Sequence, residues 1–288
     1  MNHTGENPPL NPKTKAVAII PARYDSVRLP GKALLEIAGK PMICWVVARA
    51  LAAGNVARAI VATDDERIVA AVKSAGYEAI MTSSFHRSGT DRIAEVARSL
   101  DDAEVIVNVQ GDEPLISSET IERAVAAIEE EGKGAKGEGH STPDIVTTWE
   151  PIASVDEVLS PDVVKIVVDE SERAIYFSRS PVPYPRDAAQ QHGSLKAALE
   201  HEPGLSATFR KHTGLYVYRR DALLKFAEWP QSELEQLESL EQLRALEHGV
   251  KIRAIQASSA SIGVDTMADL ERVRREVSSF KFQVSSST

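Results

Sequence analysis

In the first half of the chain, short apolar runs alternate with stretches of helical pattern. "AVAII" from Ala16, "RAIVA" from Arg58, "YEAIM" from Tyr77 and "EVIVNV" from Glu104 are separated by helix-like segments, an alternation that predicts a parallel α/β sheet. The helix boundaries agree. "GKPMICWVVARALAAG" puts Pro41 in a first turn and Gly54 just past the end, while "TDDERIVAAVKSAG" runs from a Thr63 or Asp64 cap to Gly76. Further helices are expected from near Thr90 and after Ser118, until the pattern breaks at "GKGAKGEGHSTP".

Beyond residue 143 the rhythm becomes mixed: strands are predicted in "DIVTTW", "VVKIVVD", "AIYFS", "GLYVYRR" and "VKIRAIQ". One strong helix lies among them, "SELEQLESLEQLRALEHG", opening on a Ser232–Glu235 capping box and stopping at Gly249. Its stripe of Leu234, Leu237, Leu240, Leu243 and Leu246 is expected to cover core, since a spacing of three drifts off a heptad seam. "SRSPVPYPRDAAQQHGSL" is too rich in proline for a central strand and reads as a long loop.

Composition narrows the function. With 288 residues, 43% of them hydrophobic, the chain can bury a full core. A net charge of −9 argues against a general nucleic-acid or membrane surface, so any phosphate site must be a local basic cluster. No stretch approaches the roughly 20 apolar residues that cross a bilayer, and "MNHTGENPPLNPKTK" reads as a frayed N-terminus, residues 1–14 being expected to be disordered, of a cytoplasmic protein. The single cysteine, Cys44, excludes an intramolecular disulfide and a cysteine-based zinc site; it reads as a buried bystander.

Candidate chemistry gathers in a few segments. "GKGAKG" (Gly132 to Gly137) matches the dinucleotide fingerprint in letters only, since no strand precedes it and no helix follows, and it is read as a surface linker. "PARYDSVRLPGK" ends like a Walker loop but has Ser26 and Ala33 where that loop needs glycine and a hydroxyl. What remains is a loop leaving the carboxyl end of a strand and carrying Arg23, Ser26, Arg28 and Lys32, with Pro30-Gly31 turning the chain before the lysine. Three cations so close together in an acidic protein point to a shared anion, and a triphosphate has the charge and acceptors for all of them. In "VNVQGDEP" a strand runs into Gln110, Gly111, Asp112 and Glu113; Asp112, after a glycine that admits close backbone approach, either is placed to hold Mg²⁺ or belongs to an ordinary strand-end turn. Asp265 follows a short strand, and Thr266 to Asp269 can cap the last helix; Asp265 itself reads either as a second carboxylate or as an ordinary helix cap. His212 has basic neighbours, which suit an anionic substrate or make an ordinary surface cluster.

Together, "IIPARYDSVRLPGK", "VATDD", "HRSGTDR", "NVQGDEP", "YFSRSPVPY", "HTGLYVYR", "LESLEQLR" and "GVDTMADLERV" closely resemble the 3-deoxy-manno-octulosonate (Kdo) cytidylyltransferase family, in order from about Ala16 to about Val277. The resemblance implies an α/β, Rossmann-like nucleotidyltransferase fold, with a mostly parallel central sheet flanked by helices and a smaller mixed portion. It implies one domain over residues 15–288, of which about 15–142 mainly bind CTP and about 143–288 mainly bind the sugar acid and dimerise. The implied reaction joins CTP and Kdo into CMP-Kdo and pyrophosphate, in a homodimer serving lipopolysaccharide synthesis. Carried over by position, Arg23, Ser26, Arg28 and Lys32 face the CTP phosphates, and Ser88 and Arg92 fall in the cytosine-reading segment. Asp112 and Asp265 would hold Mg²⁺, with Lys32 beside them as the catalytic cation; Gln110, Arg179, His212, Tyr216, Glu241 and Gln242 surround the sugar, whose carboxylate Arg179 or His212 would counter. The chain departs from the family at Phe85 and Arg87, where Asp and Gln are expected, and in longer segments at about 131–142 and 187–206. Alternative readings are transfer to an amino-substituted Kdo or a sialic acid, or a non-catalytic nucleotide-binding protein. The presence of Lys32, Asp112 and Asp265 opposes the last.

Overall fold

The computed structural model describes residues 16–26, 28–86, 88–129 and 142–285. The expected N-terminal extension, Arg87 and the segment Gly132 to Gly137 lie outside them. The chain forms two compact units, one built from the chain up to Glu122 together with the residues from Ile262 onward, the other from Arg123–Ser261.

In the first unit, strand β1 (Ala16–Ala22) is followed by a short hairpin of β2 (Glu36–Ile37) and β3 (Lys40–Pro41), helix α1 (Met42–Leu51), β4 (Val56–Thr63), α2 (Glu66–Ser74), β5 (Glu78–Met81), α3 (Gly89–Arg98), β6 (Val105–Asn108) and the start of α4 (Ser118–Glu129), whose residues from Arg123 belong to the second unit. The strands lie in the order β6-β1-β4-β5, all parallel, as the alternation of apolar runs predicts. Ile19, Ile20, Ile60, Val61, Ile106 and Val107 are fully enclosed. Burying each such side chain contributes about 1.5–3 kcal/mol, which is why these strands read as continuous apolar runs rather than alternating ones. The register sets Ala22 beside Thr63 and Ile19 beside Asn108, so the loops leaving β1, β4 and β6 open at one edge.

The second unit is mixed. It contains β7 (Ile145–Pro151), α5 (Val155–Leu159), β8 (Lys165–Val168), β9 (Ala174–Ser178), α6 (Arg186–Gln191), α7 (Leu195–His201), β10 (Arg210–Arg219), α8 (Arg220–Glu228), α9 (Glu233–Glu238), α10 (Glu241–Glu247) and β11 (Ile252–Gln256). β11 pairs parallel with β7, while β7 with β10, β10 with β8 and β8 with β9 are antiparallel. The chain then returns to the first unit as α11 (Met267–Ser285). There Val264, Leu270, Val273 and Val277 share a buried cluster with Leu29, Ile37 and Met42, which seats the residues just before α11 against the loop after β1.

Three local expectations need correction. The cap of α2 is Asp65, not Thr63 or Asp64: its side chain accepts the Arg67 N–H. The segment from Ser232 to Gly249 is two helices, because Ser239 adopts φ 52° between α9 and α10. Its capping box forms as expected and Gly249 (φ 76°) ends the second helix, but the leucine stripe is interrupted, with Leu240 and Leu243 buried and Leu237 exposed. The proline-rich stretch is a loop only as far as Pro185; α6 and α7 follow, the latter capped by Ser194.

Candidate active site

The loop after β1 is shaped before it is charged. Gly31 sits at φ 68° and donates its N–H to the Tyr24 carbonyl at 2.9 Å, and a Cβ there would meet the Tyr24 ring at 3.2 Å. The left-handed backbone and the packed ring both require glycine. Arg67, held on Asp65, stacks its guanidinium 3.3 Å from the centre of the same ring. The turn delivers Lys32 to the start of a short 3-10 helix, where its ammonium meets Asp112 Oδ2 at 2.6 Å, Asp265 Oδ1 at 3.2 Å and the Val264 carbonyl at 3.3 Å. Arg28 reaches the other oxygen of Asp265 at 3.0 Å. Burial opposes the charge on Lys32, but the two carboxylates outweigh it and hold its pKa above the ordinary value.

Backbone contacts fix both aspartates. The Val264 N–H donates to the Asp112 carbonyl at 2.9 Å, tying the two acidic segments together. Gly111 is required for a reason other than ligand approach: a Cβ on it would lie 2.7 Å from the Pro21 carbonyl, so only glycine lets the end of β6 pass β1. Asp265 is not a helix cap. Thr266 takes that part, its Oγ1 accepting the Asp269 N–H, while the Asp269 carboxylate, inside the first turn, accepts the N–H groups of Asp265 and Thr266 and the Thr266 hydroxyl. The Asp265 carboxylate is thereby left to the cations.

Asp112 and Asp265 thus converge on one cationic point. Two carboxylates, with no group of three or more possible ligands among the described residues, suit Mg²⁺ that completes its octahedron with phosphate oxygens and water, and do not suit an all-protein cage.

The remaining nucleotide candidates divide between exposed contact and internal support. Arg23 is exposed and donates Nη2–H to the His86 carbonyl at 2.9 Å, and Ser26 is half-buried in the same loop. Ser88 caps α3, accepting the Asp91 N–H. Arg92 is fully enclosed: Nη1 donates to Thr82 Oγ1 at 2.5 Å and Nη2 to Asp64 Oδ2 at 2.7 Å, bracing the ends of β4 and β5.

Of the six sugar candidates, Gln110 lies in the first unit, on the turn after β6, and the other five lie in the second unit. His212 and Tyr216, an even number of residues apart, share a face of β10, and the bulge between Thr213 and Tyr216 sets them opposite Trp149 and Thr147, only two residues apart on β7; their ring centres lie 5.3 Å apart, and Phe177 of β9 meets the imidazole edge-on at 5.0 Å. Thr147 donates its only hydroxyl proton to the Leu215 carbonyl at 2.8 Å, so His212 Nε2, 2.9 Å from that hydroxyl, must carry a proton, and Nδ1 is left as an acceptor. Although His212 keeps some exposed surface, its ring is enclosed, and burial lowers its pKa to about 3. It is neutral near pH 7, so of the two groups offered for the sugar carboxylate only Arg179 carries charge. His212's basic neighbours are occupied: Lys211 bridges Glu150 and Glu157, and Arg210 stacks on Trp149.

Burial, with Tyr218 and Glu241 nearby, raises the Tyr216 phenol well above its ordinary pKa and keeps it protonated. Arg179 is held by its own neighbours. Its guanidinium donates to the carbonyls of Glu238, Pro161 and Ser239, and its backbone N–H to the Glu238 carboxylate. Buried Lys165 spends its ammonium on three carbonyls, Arg179's among them. The break at Ser239 brings Glu241 and Gln242 into the first turn of α10, Gln242 being buried. Glu238, Lys165 and Thr147 carry no local signal of a role in the sequence, because each acts on a partner distant in the chain: Glu238 on Ser178 and Arg179, Lys165 on the Arg179 carbonyl, and Thr147 on His212.

A cytidylyltransferase family model matches residues 17–252. The 3-deoxy-manno-octulosonate cytidylyltransferase of Trichlorobacter lovleyi is 48% identical over 263 residues, covering 91% of this chain and 98% of the relative. That of Geobacter metallireducens is 48% identical over 269 residues, 93% and 99% of the two chains. Among solved structures, a CMP:2-keto-3-deoxy-manno-octonic acid synthetase complexed with CTP superposes with a TM-score of 0.79 at 42% identity, covering 92% of this chain and 99% of its own. A 4-diphosphocytidyl-2C-methyl-D-erythritol synthase from Anaerococcus prevotii, 14% identical with a TM-score of 0.56 over 92% and 96% of the two chains, shares the fold.

Proposed function

The chain belongs to the 3-deoxy-manno-octulosonate cytidylyltransferase family, and from that premise we propose how its residues transfer CMP from CTP to Kdo. The anomeric C2 hydroxyl of Kdo attacks the α-phosphorus in line, a new oxygen–phosphorus bond forms, the bond to the β-phosphate bridge breaks, and pyrophosphate leaves. The hydroxyl proton passes to solvent. No side chain is needed as a nucleophile, so catalysis is positioning and charge.

Lys32, with its raised pKa, is a fixed positive charge for the phosphates, joined by Arg28 and by Arg23 at the mouth of the same loop. Asp112 and Asp265 would hold Mg²⁺. When bound, that ion supplies charge neutralisation at the phosphates and acidifies a hydroxyl near it. Ser26 offers a further hydroxyl to the phosphates, Ser88 holds the start of the base-side helix, and Arg92 braces that side from within. On the sugar side, Arg179 answers the carboxylate; neutral His212, protonated Tyr216, Glu241, Gln242 and Gln110 read hydroxyl groups. In this reading the first unit chiefly serves CTP, the second the sugar and dimer formation. The enzyme works as a homodimer in the cytoplasm, supplying activated sugar for lipopolysaccharide; no helix among the described residues is long and apolar enough to cross a membrane.

The observation that carries this reading is the convergence of Asp112 and Asp265 on Lys32, at 2.6 and 3.2 Å, in a chain of this family. Pyrophosphate release should require CTP, Kdo and Mg²⁺ together, with UTP, ATP and sialic acid inactive in their places. Release with a sialic acid or an amino-substituted Kdo but not with Kdo would overturn the acceptor assignment.

A further inference from the structure

A chain of three contacts runs from α3 through the loop between β5 and α3 to the phosphate-binding loop, all within the first unit. Glu95, in the second turn of α3, accepts the Ser83 backbone N–H through Oε2 at 3.0 Å, and the same oxygen meets Nε2 of His86. One carboxylate oxygen therefore pins both limbs of the loop. The His86 carbonyl, set by that anchorage, accepts a hydrogen bond from Arg23 Nη2 at 2.9 Å. Arg23 is the first residue past β1 and is exposed, and a free arginine side chain carries rotamer entropy that ligand binding would have to overcome. A guanidinium has five N–H donors. One directed at His86 fixes its orientation, and four are surplus to that contact.

We propose that Glu95 is a positioning residue for CTP: acting through His86, it pre-orients Arg23 toward the triphosphate. This rests on the reading of Arg23 as a phosphate ligand. The arrangement is preorganisation, in which the ordering cost is met in folding rather than in binding.

The test is a double-mutant cycle read by calorimetric titration of CTP in the presence of Mg²⁺, on wild type, Glu95→Ala, Arg23→Ala and the double variant. Glu95→Ala is expected to weaken CTP binding about tenfold, and the same change in the Arg23→Ala background to weaken it no further. In turnover the effect should fall on KM for CTP rather than on kcat. Glu95→Gln, which keeps the shape and an acceptor for Ser83 but removes the charged contact with His86, gives a smaller loss and carries the cycle if the alanine variant does not fold. Equal weakening with and without Arg23, or unchanged CTP affinity, overturns the proposal; a general loss of structure lowers affinity in both backgrounds alike and so counts against it. The titration needs no sugar, so a mistaken acceptor leaves it intact. Failure of the wild type to bind CTP would overturn this inference together with the reading of Arg23.

Discussion

Asp112→Asn separates the chemistry of the site from its stability. The substitution removes one charge and keeps the volume and one oxygen of the side chain. In the ligand-free protein Lys32 loses its contact at 2.6 Å but retains Asp265 at 3.2 Å and the Val264 carbonyl at 3.3 Å. Both partners keep some solvent contact, with side-chain exposures of 19% and 30%, so the lost ion pair is worth about 1–2 kcal/mol after screening. For a chain of this size that lowers Tm by a few degrees. Turnover suffers far more. Losing one of two anionic ligands removes on the order of 3–4 kcal/mol of transition-state charge stabilisation. At about 1.4 kcal/mol per decade, kcat falls roughly 10²–10³-fold. Pyrophosphate release at saturating CTP, Kdo and Mg²⁺, measured beside thermal unfolding, reads both numbers. A folded variant turning over within about threefold of wild type would refute the assignment of Asp112.

Further outcomes follow from the same geometry. Lys32→Met should depress turnover about 10²-fold; it should also let Mg²⁺ alone raise Tm more than in wild type, because the ammonium no longer competes for the two carboxylates, and no Mg²⁺-dependent stabilisation would contradict their convergence. Gly111→Ala places a Cβ 2.7 Å from the Pro21 carbonyl and should cost about 1–3 kcal/mol while displacing Asp112, seen as a lower Tm with lower kcat; an unchanged Tm would mean the two strands part easily. The folded pKa of His212, about 3, is depressed below its unfolded value near 6.5, so the unfolded state binds more protons between them, and the stability present above pH 6.5 is lost as pH falls toward 3. His212→Gln should flatten the fall in Tm between pH 7 and 5, and parallel curves for the two proteins would show that the imidazole is not enclosed.

The strands were the most legible part of the fold, because parallel strands covered on both faces read as apolar runs and their neighbours as amphipathic helices. The phosphate loop and the strand-end carboxylate were legible for a related reason: sharply local chemistry, three cations in ten residues and Gly-Asp after a strand, needs no knowledge of distant partners. What depended on distant partners was not. Leucines at every third position made α9 and α10 look continuous, whereas Ser239 turns left-handed where Glu238 anchors Ser178 and Arg179. The need for Gly111 lies in the Pro21 carbonyl, 90 residues earlier in the chain, and the neutrality of His212 in the packing of Phe177 and Tyr216 around it. Sequence left Asp265 open between ligand and cap; the structure gives the cap to Thr266, with Asp269 reaching back to it, as the Thr266–Asp269 spacing allowed.

The most direct measurement is mass analysis of the sugar product after incubating the protein with CTP, Kdo and Mg²⁺, beside the same incubation with Asp112→Asn. The account predicts a CMP–Kdo phosphodiester formed one for one with pyrophosphate in the wild type and reduced roughly a hundredfold in the variant. Pyrophosphate released with free CMP and unchanged Kdo, or a product equally abundant in the variant, would contradict it.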